Sequence, residues 1–142
     1  MTNKITASYK TLLGKVKQTL ILGRQRIETE KVNTYWQTGK LIDADILKNK
    51  GRAQYGAQVV ARLARDLDIN ARLLLYCIQF ARAYPRAPIL NGRSQFKWTH
   101  YRELISIPDL KAREELEEKA ARNNWSAEEL GVRIRARREC PS

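Results

Sequence analysis

One histidine, two cysteines and one methionine are all that this chain of 142 residues offers by way of imidazole and sulfur ligands. Cys77 stands inside an apolar run and Cys140 in the tail, so neither a disulfide framework nor a cysteine-histidine metal cluster can be assembled. They read as a small buried hydrophobe and a tail thiol, and neither a metal nor a cofactor is expected. Proline is absent from residues 1–84, which removes the strongest helix breaker from more than half of the chain. No apolar run approaches the roughly 20 residues that span a bilayer. The N-terminus carries lysine but no signal-peptide core, so a cytoplasmic location away from membranes is expected. Alternation of β-branched and aromatic residues is missing, which excludes a sheet protein. The glycines form no phosphate-cradling loop on a strand-to-helix turn, and no small-molecule substrate is expected.

Cation is abundant. The chain holds 43% apolar and 30% charged residues, a globular composition, with a formal net charge of +12. Residues 1–50 and 51–98 each contribute a surplus of cation, whereas 99–142 is balanced. In that last stretch Glu114, Glu115, Glu117 and Glu118 are answered by Arg133, Arg135, Arg137 and Arg138. Clustered arginine on a strongly basic chain is the electrostatic footprint of nucleic-acid binding; a basic face for an acidic protein is the competing account.

Periodicity predicts an all-α fold, with a long N-terminal helix or helix pair followed by a compact multi-helix body. Ile5, Tyr9, Leu12, Leu13, Val16 and Leu20 recur at intervals of three and four, and Val32, Tyr35, Trp36, Gly39, Ile42 and Ile46 continue the pattern. Residues 4–48 therefore form one helix, or two broken near Ile27–Lys31. A helix of about 40 residues would be about 60 Å long. That exceeds what so small a body can cover, so the expectation is a break or a second copy packed along it. Asn49 to Gly56 reads as a loop, and helices follow at 57–67, 71–84, 99–106, 109–123 and 127–138. A proline- and glycine-bearing loop with Pro85, Pro88, Asn91 and Gly92 separates the second group from the third. One integrated domain results: residues 1–48 as a helical arm, 49–98 as a helix pair plus loop, and 99–142 as a three-helix unit ending in arginine-rich sequence.

Two helix-turn-helix arrangements stand out. In the first, Ala64 to Asn70 leads into Leu74, with Leu67, Ile69 and Leu74 filling the angle between the helices. Asp68 occupies the turn where glycine is common. Its second helix is apolar nearly all round, leaving Arg72, Gln79 and Arg82 for a groove, which favours a scaffold role. In the second, Ala120 leads through Asn123 and Asn124 to Trp125, Ser126 and Leu130. Its last helix carries Arg133, Arg135, Arg137 and Arg138, suited to phosphates and guanine edges. Glu128 and Glu129 in its first turn would repel phosphate, and arginine near a helix C-terminus also suits the dipole.

Trp98-Thr99 and Trp125-Ser126 each place tryptophan before a hydroxyl that can cap a helix. Ser126, Glu129, Trp125 and Leu130 complete a capping box with a hydrophobic staple. His100 has no acid-base partner in view, so packing or capping is its expected role. Pro108-Asp109 with Glu117-Glu118-Lys119 spells a superficial nuclease signature. The residues between are strong helix formers, and on one helix the two carboxylates stand about 12 Å apart along the axis, too far to share a metal. Asp43 and Asp45 point to different faces. Gly39 reads as a close helix contact beside Trp36. Tyr55 beside Gly56 reads either as a base-stacking ring or as a core anchor.

Read in order, the chain shows Tyr9, Val32-Asn33, Tyr35-Trp36, Gly39-Lys40 and Ile42, then Arg52-Ala53-Gln54-Tyr55-Gly56, Leu63 to Leu67, Phe80 and Tyr84-Pro85. Trp98-Thr99-His100-Tyr101-Arg102-Glu103-Leu104, Arg113 and Asn124-Trp125-Ser126 with Glu129-Leu130 follow. This ordered set resembles the N-terminal domain of the YhcG family, bacterial proteins whose C-terminal half is a predicted PD-(D/E)xK nuclease. The resemblance covers residues 5–138 and implies a helical module that binds DNA or targets a nuclease. The chain stops where the nuclease half would begin, so no catalytic residue is expected in it, and a nuclease only in a longer native chain.

The resulting expectation is binding of double-stranded DNA through phosphate contacts from Arg133, Arg135, Arg137 and Arg138, supported by Arg52, Arg62, Arg65, Arg72 and Lys97. Trp36, Gly39, Tyr55, Gly56, Trp98, His100, Tyr101, Trp125, Ser126 and Leu130 are expected to build the frame. The alternative is a protein-interaction or homodimerisation domain, with residues 5–46 as the interface.

Overall fold

In the computed structural model, residues 2–52, 54–88 and 96–139 are described; Cys140, Asn91 and Gly92 lie outside them. Six helices and no strand occur among the described residues: α1 (Thr2–Lys48), α2 (Tyr55–Leu67), α3 (Ala71–Ala83), α4 (Trp98–Leu104), α5 (Leu110–Arg122) and α6 (Ala127–Glu139). No helix among them is long and apolar enough to cross a membrane.

Of the two forms expected for residues 4–48, the single helix occurs and the break near Ile27–Lys31 does not. With neither proline nor glycine there, α1 runs unbroken for 47 residues, about 70 Å. Its second half lies along α3, the largest helix contact of the fold. Val32 and Ile42 are buried, and Tyr35, Trp36 and Ile46 pack against the core. The close approach expected of Gly39 is present: a Cβ there would overlap the Cys77 carbonyl oxygen of α3. The first half of α1 extends past the body with Tyr9, Leu12, Leu13, Val16 and Leu20 exposed.

Both expected interhelical turns form, and by the same device. Asp68 adopts the left-handed conformation (φ 53°), and the Ile69 N–H returns to the Ala64 carbonyl at 2.9 Å. Asn124 does likewise (φ 52°), with the Trp125 N–H returning to Ala120 at 2.9 Å. These carbonyls would otherwise be orphaned at a helix end, and Asp and Asn tolerate the left-handed region better than most residues. Asp68 thus takes the conformation for which glycine is usual. The apolar filling of the first turn is a correction: Leu74 is buried, but Leu67 is 57% exposed and Ile69 37%. α3 itself is chiefly core, burying Leu74, Cys77, Ile78, Phe80 and Ala81.

An aromatic cluster joins α1, α3 and α4. The Phe80 ring lies 5.3 Å from Trp98, 5.0 Å from Tyr101 and 5.4 Å from Tyr84, while Tyr35 meets Trp98 edge-on at 4.8 Å. Trp36 Nε1–H donates to the Tyr84 carbonyl at 2.7 Å, closing the end of α3 onto α1. Burying side chains of this size contributes about 1.5–3 kcal/mol each.

Candidate nucleic-acid interface

The arginine-rich helix α6 is aimed by its start. Ser126 Oγ accepts from the Glu129 N–H at 3.1 Å, as a cap should. The Glu129 carboxylate does not complete the box. It pairs with Arg133 Nε at 2.8 Å, because that guanidinium stands one turn away and offers a stronger donor than a backbone N–H. The Arg133 guanidinium also covers the Trp125 ring at 4.9 Å. Trp125 packs against the core cluster that includes the fully buried Leu130.

The start of α4 is the second correction. Thr99 does not cap it; the helix begins one residue earlier at Trp98. The Lys97 N–H donates to His100 Nδ1 at 3.0 Å, doing from the third helical position what a capping glutamate does. Since Nδ1 accepts, Nε2 carries the proton, and it meets the Trp125 carbonyl at 2.9 Å. His100 therefore ties the start of α4 to the residues that start α6. It is buried and stacked on Phe96 at 4.9 Å with an interplanar angle of 4°.

The four α6 arginines fall on two sides of the helix rather than in one strip. Arg133 and Arg137 stand one turn apart on one side, while Arg135 falls about half a turn round at 100° per residue. Arg138 Nη2 donates to the Ser106 carbonyl at 3.1 Å, and with Arg137 it borders a shallow cleft beside Pro108. The other expected cations lie on separate elements. Arg62 and Arg65 approach Asp66 at 3.8 and 3.7 Å, all three well exposed. Arg72 follows Asn70, whose Oδ1 accepts the Arg72 N–H at 2.8 Å. Lys97 is exposed beside Arg24 and Glu28 of α1. Arg52 stands 5.8 Å from the Tyr55 ring.

The Tyr55 hydroxyl, at the first residue of α2, donates to Asp45 Oδ2 of α1 at 2.7 Å, and this hydrogen bond to the carboxylate is the first cause that raises its pKa. Gly56 lies in ordinary contact range of Ile46. Asp43 faces the other way and pairs with Arg82 at 2.7 Å. The nuclease-like segment is helical, with Asp109 Oδ2 capping Ala112 N–H at 3.2 Å and Glu117 accepting from Tyr84 Oη at 3.2 Å.

Sequence reasoning missed the polar centre behind that segment. Arg113, buried on α5, donates to the Ile107 carbonyl at 3.2 Å and the Ala83 carbonyl at 2.9 Å, and lies 5.3 Å from the Tyr84 ring. Burial, with Glu117 nearby, drives the Tyr84 phenol far above its ordinary value. An open groove of about 610 Å³ runs along this centre, bordered by Arg86, Glu114 and Glu118. The available signal was the spacing of Arg113 and Glu117 among Ala112, Leu116 and Ala120 on the buried stripe of α5.

The family model of the DUF1016 N-terminal domain matches residues 10–138. Neither a curated protein nor a solved structure matches the chain.

Proposed function

The chain belongs to the DUF1016 N-terminal domain family, and from that premise we propose that it is a DNA-binding module that grips duplex DNA through the phosphate backbone. The observation carrying this reading is the formal net charge of +12 together with exposed arginines concentrated near the end of α6. Arg135 and Arg137 have no ion pair among the described residues. Such cations attract phosphate by counterion release without reading sequence. Arg62, Arg65, Arg72, Arg52 and Lys97 would extend the contact, and no catalytic residue is assigned.

A labelled duplex titrated between about 50 and 200 mM salt should lose affinity steeply. Changing Arg133, Arg135, Arg137 and Arg138 together to alanine should flatten that slope by about 0.9 for each phosphate left without its cation. An unchanged slope removes α6 as the contact, and no binding at low salt removes the function. With a divalent metal added, the duplex should stay intact.

The second reading, a protein-interaction domain, is favoured by one observation: the exposed apolar side chains along the first half of α1. A homodimer through residues 5–46 is its simplest form, and light scattering of the isolated chain tests it.

A further inference from the structure

The apolar stripe on the first half of α1 is not a continuation of the one that meets the body. Val32, Tyr35, Trp36, Gly39, Ile42 and Ile46 define the body-facing side. Tyr9, Leu13, Val16, Leu20 and Ile27 define a second side. At 100° per residue, the two directions differ by about 105°. The second seam therefore stands more than a quarter turn round from the body-facing side; its last residue, Ile27, borders a groove with Phe96 and Lys97, and its members stay exposed, Tyr9 at 61%, Leu20 at 53% and Ile27 at 68%.

Its spacing is that of a helix-pairing seam. From Tyr9 the steps run four, three, four, three and four, through Leu13, Val16, Leu20 and Gly23 to Ile27, over about 27 Å. This is the a and d pattern of a coiled coil; Leu12, Ile21 and Leu22 are exposed apolar side chains outside it. Gly23 sits within the seam, and a Cβ there would meet nothing within 4 Å. Glycine inside a helix costs about 1 kcal/mol against alanine. With no internal contact requiring it, the gap it leaves is suited to a bulky side chain from outside.

Charge selects the occupant. The residues next to each d position, which flank the seam, are Lys10, Lys17 and Arg24, and the opposite flank is Leu12, Thr19 and Arg26. No acidic residue occurs before Glu28. A second copy laid parallel finds no anion to answer its cations, and laid antiparallel it sets Lys10, Lys17 and Arg24 against one another. A helix with aspartate or glutamate on its flanks answers all three.

We propose that the first half of α1 is a docking helix for an acidic amphipathic helix of a partner protein. The partner's aliphatic seam packs on Tyr9, Leu13, Val16, Leu20 and Ile27, and its carboxylates meet Lys10, Lys17 and Arg24. The proposal names the partner class within the protein-interaction reading and does not depend on DNA binding, which is measured separately with the α6 arginine variants.

The test titrates the whole chain with two synthetic amphipathic helices of identical leucine and isoleucine seams, one flanked by glutamate and one by lysine. Sedimentation of the chain alone and binding to phosphatidylglycerol vesicles are run alongside. The glutamate-flanked helix should bind at least tenfold more tightly, and the triple variant Lys10→Glu, Lys17→Glu, Arg24→Glu should reverse that preference. Leu13→Ser with Leu20→Ser should abolish binding while leaving the thermal unfolding of the body in place. Equal binding of both helices, or of neither, overturns the proposal. So does a stable homodimer that excludes the peptide, or a preference for vesicles over the acidic helix.

Discussion

His100 Nε2 meets the Trp125 carbonyl at 2.9 Å, so one imidazole in the first turn of α4 holds a residue 25 positions further along, just before the start of α6. Its other nitrogen accepts the Lys97 N–H, and its ring stacks on Phe96. Replacing His100 with alanine removes both hydrogen bonds, worth about 1 kcal/mol each, and leaves two backbone groups without their partner. A loss of about 2–4 kcal/mol in urea unfolding is expected. A loss below about 0.5 kcal/mol, the scale of an ordinary surface change, would remove the histidine from the frame.

Gly39→Ala should separate α1 from α3. The new Cβ meets backbone, the Cys77 carbonyl, and a helix cannot rotate away as a side chain can. Overpacking of this kind costs about 1–3 kcal/mol. Gly14→Ala, where a Cβ meets nothing within 4 Å, should instead leave stability unchanged or raise it. Comparing the two urea midpoints separates contact from helix propensity.

Arg113 is held by geometry rather than by charge alone. Its two nitrogens reach two carbonyls from different segments, Ile107 and Ala83, which a lysine ammonium cannot serve in the same fork. Arg113→Lys should cost about 1–3 kcal/mol. Equal stability of the lysine variant, read by chemical denaturation, would show that the fork is dispensable.

Alkaline pH should weaken the fold in a specific window. Burial pushes the Cys77 thiol from 9.0 up to about 11. Between those values the unfolded thiol has lost its proton and the native one keeps it. The native state therefore binds more protons, and stability falls as pH rises from about 9 toward 11. Tyr84 adds its own loss above about pH 10, the ordinary phenol value. Cys77→Ala should flatten the stability slope between pH 9 and 10 and leave the later decline.

Glu129 neutralises the nearest α6 arginine. Glu129→Gln removes an exposed i,i+4 pair worth about 0.3–0.5 kcal/mol, so unfolding should barely move. Under the DNA reading it frees Arg133 and should strengthen duplex binding several-fold at low salt. Weaker binding in this variant would oppose a phosphate contact by Arg133.

The helical architecture was legible because its signals are local. The three- and four-residue spacing along α1, the cap at Ser126 and the absence of proline before residue 85 each act within a few residues. The unbroken α1 was harder to read, since the polar stretch Glu28-Thr29-Glu30-Lys31 resembles a junction yet contains strong helix formers. The His100 contact to Trp125 and the Arg113 contact to Ala83 could not be read at all. Each joins segments at least 25 residues apart, and nothing in local spacing reports which carbonyl a buried donor will find. The α6 arginines were correctly placed on one helix, but a count of cations does not report their azimuth, which divides them between two sides.

The continuity of α1 through residues 28–31 makes it a torsion rod whose two working faces are indexed only by the number of residues between them. One residue inserted between Ile27 and Val32 would swing the outer seam by about 100° while advancing it about 1.5 Å. Seven would return it to within about 20° of its starting azimuth, some 10 Å farther out. A partner seated on that seam would therefore be delivered to the body at an angle written in residue count, and a single-codon insertion would disengage it without disturbing any contact in the core.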